Sequence, residues 1–231
     1  MGTLEKSPDC QICAFKSLMF NSLKQDQLSK INTCKEQFHF SKGELVCREG
    51  DPINAIIYVH AGLIKLHKRI SENQSQIISI AKPFDFVGLI SVFSKTNYFY
   101  SITAIEDSSI CFIAKDCFIR EIASNGQFAL DILTRMSKTN DDVLEAKFAL
   151  SSKNLRGRIA HILLDFANNI YKSNEFELPV SRREMAELID MRMENVIRVM
   201  SEFRQDGIIK INGHIIEITN PNMLQKISDM G

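Results

Sequence analysis

"SRREMAELIDMRMENVIRVMSEFRQDGII", residues 181–209, decides how this chain is read. Met185, Ala186, Leu188 and Ile189 share one face of a short helix. Ser181 precedes it as an N-cap, and Glu184, three residues on, completes a capping box. Asp190-Met191-Arg192 breaks the helical period. It resumes with Val196, Val199, Met200 and Phe203 at i, i+3, i+4 and i+7, which marks the buried face of a second helix. Glu194, Asn195, Arg198 and Ser201 are thereby turned away from that face. Asp206-Gly207 is a left-handed stop, and "IIKI" and "HIIEI" then flank Asn212-Gly213, a strong hairpin signal.

Two helices joined by a tight break and followed by a hairpin form a winged helix–turn–helix, whose second helix is shaped to enter a major groove. The polar set on that helix suits base reading. Arginine donates bidentately to guanine, glutamate accepts from cytosine N4, and asparagine pairs with adenine. Arg182 and Arg183, at the start of the first helix, are placed to touch phosphate. An ordinary solvated helix with a Glu194–Arg198 i,i+4 pair is the bland alternative. It accounts for the pair but not for helix, turn and wing in sequence.

Charge totals do not help, since 28 Lys/Arg balance 28 Asp/Glu. From Ser151 onward, 11 basic residues again face 11 acidic ones, so the case rests on where charges sit. At 231 residues the chain suggests two domains. No apolar run reaches the roughly 20 residues of a membrane span, and "MGTLEKSPDC" lacks the apolar core of a secretory signal. A cytoplasmic protein with its six cysteines reduced is the expectation.

Outward from the quoted stretch, "NLRGRIAHILLDFANNIY" predicts an apolar helix, followed by a linker around "KSNEFELPVS". From about Gln127 to Ser151, Ala129, Ile132, Leu133, Met136, Val143, Leu144, Lys147 and Leu150 follow a 3/4 spacing interrupted at Thr139-Asn140. A long helix with so narrow a stripe predicts pairing with a second long helix, the other reading being a helix laid on its own β domain. Residues 34–118 carry period-two runs, "AIIYVH", "LIKLH", "QIISIA" and "SSICFIA". Turn signals at Lys42-Gly43, Gly50-Asp51, Ala61-Gly62 and Gly88 separate them, the mark of a barrel or double-sheet roll. Residues 15–33 read as a helix packing through Leu18, Leu23, Leu28 and Ile31.

With "FSKGELVCREGD", "IIYVHAGLIKL", "ITAIEDSSICFI", "LRGRIAHILLDFA" and "MENVIRVMSEFRQDGIIKINGHIIEI", the chain resembles the CRP/FNR superfamily of bacterial transcription regulators over nearly its whole length. The resemblance implies an α+β fold in three parts. These are a cyclic-nucleotide-binding-like double-stranded β-roll sensor (1–126), a dimerisation helix (127–151) and a winged helix–turn–helix (152–231). It also implies a homodimer on a palindromic operator, RNA polymerase as a partner, and no enzymatic activity. The family's Glu-x-x-x-Arg recognition motif falls on Glu194 and Arg198. The turn departs from the family pattern, with Asp190 where Gly is frequent and Arg192 where Ser or Thr caps the helix. Asp tolerates the left-handed region, while Arg192 alters the contact offered to phosphate there.

What the roll senses is less determined. Cyclic-nucleotide members hold ribose and phosphate with Gly-Glu and a downstream Arg-Ser/Thr. Alignment puts Leu89 at the glutamate and Tyr98-Phe99 at the Arg-Ser, so a cyclic phosphate would meet apolar groups, which argues against cyclic AMP. Phe93, Tyr98, Phe99 and Tyr100 could instead line an apolar pocket, or simply be core. The oxygen-sensing branch binds an iron–sulfur cluster, which Cys10, Cys13 and Cys111 match in part. Met19 stands where a third N-terminal thiolate is expected, with Cys34 or Cys47 as substitutes. A haem sensor using His39, His60 or His67 is a further option within the family. His161 and His214 fall in the DNA-binding half. A cupin-like metalloenzyme is the rival class, but no His/Glu ligand cluster stands in the β region to favour it.

Overall fold

The computed structural model describes residues 2–5, 20–71 and 74–231. The chain divides into two compact units. One comprises residues 1–72 with 78–141, the other residues 142–231 with 73–77.

The first unit is a two-sheet roll. One sheet has the order β1-β2-β9-β4-β7, the other β3-β8-β5-β6. The strands are β1 (Thr3–Glu5), β2 (Lys35–Phe40), β3 (Leu45–Cys47), β4 (Ala55–Ala61), β5 (Ile64–Ser71), β6 (Gln74–Ala81), β7 (Phe86–Val87), β8 (Ser101–Ala104) and β9 (Ser108–Ala114). Glycines at the four expected turns, Gly43, Gly50, Gly62 and Gly88, all have positive φ, which L side chains resist. Gly62 is also sterically required, because a Cβ there would lie 2.4 Å from the Asp107 carbonyl oxygen. In its core Ile56, Ile57, Ile64, Ile102 and Ile110 are fully buried.

Helices close this unit. Helix α1 spans Gln25–Thr33 and buries Leu28 and Ile31, so it begins later than the period suggested. Residues 20–24 form a turn, while Leu23 is still buried. Leu18 and the rest of residues 15–19 lie outside the described residues. After α2 (Leu89–Ser94) and α3 (Lys115–Ser124) comes α4 (Gly126–Ser151). Phe118 and Phe128 pack edge to face at 5.6 Å, fixing the start of α4 on α3.

Helix α4 runs unbroken through Thr139-Asn140. Its apolar positions divide into two sets. Phe128 and Ile132 are buried and Met136 packs beside them against the roll. Leu130, Leu133, Val143, Leu144 and Phe148 are exposed. The helix therefore lies on its own β domain through the first set alone.

Cys34 and Cys117 form a disulfide across 83 residues, joining the end of α1 to α3. This corrects the expectation of thiols reduced throughout. Their Cα atoms lie 6.5 Å apart, a separation a disulfide spans, and only the fold brings them together.

The second unit contains α5 (Leu155–Asp165), continued as a π-helix over Phe166–Tyr171, then β10 (Glu175–Glu177), α6 (Arg182–Leu188), α7 (Met193–Gln205), β11 (Ile209–Asn212), β12 (Ile215–Ile218) and α8 (Pro221–Met230). The small sheet has the order β10-β12-β11. Gly157 lets α5 and the end of α8 touch, since a Cβ there would lie 2.8 Å from the Gly231 Cα. Among the described residues no helix is long and apolar enough to cross a membrane.

Candidate nucleic-acid interface

Helix α6 starts as its residues dictate. The Ser181 hydroxyl accepts from the Glu184 N–H, and Glu184 Oε2 accepts from the Ser181 N–H at 2.8 Å. Asp190 then turns the chain at φ 53°, the left-handed conformation that a short polar side chain tolerates. Arg192 stands at the N-cap of α7 without a side-chain cap bond.

Helix α7 buries Val196, Val199, Met200 and Phe203 and nothing else. This core fixes the helix's rotation, leaving Glu194 and Arg198 exposed while Asn195 and Ser201 are half-buried at the flanks. Arg183 is exposed and donates to Glu187, whereas Arg182 is half-buried. Burial pushes the Arg182 pKa down, but not to where a guanidinium would lose its charge.

Arg198 pairs with Glu202 rather than Glu194, its Nη1 donating to Oε1 at 2.7 Å. Glu202 is itself held by Arg156, which donates to Glu202 Oε2 at 2.7 Å and to Asp206 at 2.9 Å. The Arg156 guanidinium lies 5.0 Å over the Phe203 ring. Glu194, in the first turn, faces the positive end of the helix dipole. One carboxylate thus holds two arginines, leaving the Arg198 Nε and Nη2 as further donors of the same fork. The i,i+4 spacing of Arg198 and Glu202 was available in the sequence. Arg156, 46 residues away from Glu202, had no local signal.

The wing forms between β11 and β12, paired from Ile209↔Ile218 to Asn212↔Ile215. Its two-residue loop is therefore Gly213-His214, one position later than the Asn-Gly signal implied. Gly213 supplies the positive φ, 64°, as the first loop residue of a II′-type hairpin must.

In the roll, the expected pocket residues separate. Leu89, Tyr98 and Tyr100 are buried in the core, but Phe93 and Phe99 are exposed. Residues 99–100 form a bend ahead of β8. Tyr98 and Tyr100 go into the core, while Phe99 packs edge to face on Tyr100 at 4.7 Å from the outside, with Lys68 5.9 Å from its ring. Burial raises the pKa of both tyrosines. It also pushes the Cys47 thiol, beside Tyr98, up to about 12.

The cysteine site is not assembled by the described residues. Cys10 and Cys13 lie outside them. Cys111 is buried in β9 with its thiol donating to Gln37 Oε1 at 3.4 Å, and Cys34 is committed to Cys117. Among the described residues no three His, Cys, Asp or Glu side chains gather as a metal site. His67 bonds Thr103 at 2.9 Å and His39 lies 3.6 Å from Glu5. Burial lowers the pKa of His60, in the roll, and of His161, in α5.

Residues 37–125 match the cyclic nucleotide-binding domain and residues 157–227 the Crp-like helix-turn-helix domain. The chain is 28% identical over 181 residues to the transcriptional activator protein Anr of Pseudomonas aeruginosa, covering 77% of this chain and 74% of that one. It is 26% identical to the transcriptional activator protein FnrA of Stutzerimonas stutzeri, covering 93% and 90%. The structure of FixK2 from Bradyrhizobium japonicum superposes with a TM-score of 0.75 at 22% identity, covering 84% of this chain and 96% of that one, a likeness of fold. With both domain models, curated relatives and fold in agreement, this chain belongs to the CRP/FNR superfamily of transcription regulators.

Proposed function

We propose that the chain is a cytoplasmic, homodimeric, sequence-specific regulator that reads a palindromic operator through α7 and works with RNA polymerase rather than catalysing a reaction. The observation that carries this is the rotation of α7, which buries its four apolar residues and leaves Glu194 and Arg198 exposed. Glu194, Asn195, Arg198 and Ser201 are assigned to base edges, and Arg182, Arg183 and Arg192 to phosphates. The domain limits 1–126, 127–151 and 152–231 are proposed with it. Dimerisation is assigned to α4, because its exposed Leu130, Leu133, Val143, Leu144 and Phe148 are costly in water. Two half-sites about 34 Å apart also require two reading heads.

Arg198→Ala should cost about 1–3 kcal/mol on the operator and far less on scrambled duplex, which is held through phosphates. Equal weakening on both would make Arg198 a phosphate clamp instead. Light scattering should return twice the 26.3 kDa chain mass; the single-chain mass at micromolar concentration would reject the dimer.

For the effector, buried Leu89 and Tyr98 support a roll that does not take cyclic AMP. Redox or gas sensing through an iron–sulfur cluster or haem is the second reading. The C-x-x-C spacing of Cys10 and Cys13 favours it, and an absorption spectrum of anaerobically purified protein tests it.

A further inference from the structure

Helix α7 also exposes a side chain that a solvated face does not favour. Ile197 keeps 49% of its surface in water although its neighbours Val196, Val199 and Met200 are buried. It precedes Arg198 by one residue, about 100° around the helix. One turn earlier on the same flank stands Met193, 41% exposed. These two, at i and i+4, make a short apolar strip beside Glu194 and Arg198 in the first half of the helix, the part that meets base edges in a helix–turn–helix. The opposite flank carries Asn195, which is polar and half-buried.

Resting on the assignment of α7 as the reading helix, we propose that Ile197 is a specificity-determining residue that recognises the 5-methyl group of a thymine next to the base pair read by Arg198. The thymine methyl is the apolar group on the major-groove edge, and no other base presents one. Isoleucine suits it because its branched Cβ restricts χ1, so the side chain is held in place before binding. Contact with the methyl removes from water apolar surface that the free protein leaves exposed. A cytosine at the same position would leave that surface facing an amino group. The strip therefore adds a thymine requirement to whatever Glu194 and Arg198 demand.

The test uses a duplex selected by the full-length protein from a random pool. Each thymine is replaced in turn by deoxyuridine, which deletes only the methyl. Wild-type protein should lose about fourfold in affinity per half-site at one position, the worth of one buried methyl group. Ile197→Ala should bind the thymine and deoxyuridine duplexes alike. Because Ile197 is exposed, this variant should fold, and an unchanged thermal melt checks it. If every thymine replacement affects wild type and Ile197→Ala equally, or none affects either, the methyl contact is refuted while the role of α7 can stand. If no duplex is enriched, or Arg198→Ala binds the selected duplex as tightly as wild type, the assignment of α7 fails and this inference falls with it.

Discussion

The two units differ in where their distinctive side chains point. In the C-terminal unit the buried face of α7 is complete, so its polar residues and Ile197 are left facing outward. In the roll, Leu89, Tyr98 and Tyr100, at and near the positions where a nucleotide-binding relative would carry ligand contacts, have turned inward and joined the core. The same likeness of fold thus comes with different exposure of the aligned residues in the two units. The helix keeps groups exposed where the proposed reading needs them, whereas the aligned roll residues are buried.

The largest test of that contrast is the disulfide. Closing a loop of 83 residues removes chain entropy worth about 4.5 kcal/mol from the unfolded state. Dithiothreitol, or Cys117→Ser, should lower the stability of the roll by up to that amount and leave the winged helix unmoved. Hydrogen exchange read by mass spectrometry reports the two units separately. Peptide mapping that finds Cys34 and Cys117 unlinked in oxidised protein would sink the prediction.

What was legible followed from how local the deciding interaction is. The buried face of α7, the Ser181–Glu184 box and the left-handed Asp190 each depend on residues within one or two turns, and each forms as the sequence implied. Phe99 was misplaced because residue type alone does not reveal which of three consecutive aromatic residues a bend leaves exposed. Cys34 with Cys117 and Arg156 with Glu202 were illegible for a different reason. Their members lie 83 and 46 residues apart, and only the folded chain makes them neighbours. Ile197 lay between: its phase was readable, but an apolar residue on a polar flank attracts attention only once its exposure is known.

A smaller effect is expected at Arg156. Its two ion pairs are partly exposed, so each contributes little, and its stacking on Phe203 adds a fraction of a kcal/mol to about one. Arg156→Ala should destabilise the winged helix by roughly 1 kcal/mol, read by thermal denaturation. It should also weaken operator binding, because Glu202 then has Arg198 alone to satisfy it and holds that guanidinium back from the groove. Unchanged operator affinity would show that Glu202 does not govern Arg198.

The smallest expected effect is none at all, and it bears on the roll. Added cyclic AMP at physiological concentration should give no binding heat and no change in operator affinity. A phosphate entering beside Leu89 and Tyr98 would give up its hydration without gaining a guanidinium, a cost of several kcal/mol or more. Entry would also require moving Tyr98 and Tyr100, whose rings pack 6.0 Å apart in the core. A Cβ on Gly88, at the turn before Leu89, would already sit 3.0 Å from the Tyr100 hydroxyl, so there is little slack in the backbone either. Calorimetry is the direct measurement. Micromolar binding would mean that the roll opens and that another cation, with Lys95 just after α2 as the first to mutate, supplies the missing charge. The contrast between an outward-facing reading helix and an inward-turned roll would then hold only for the unliganded protein.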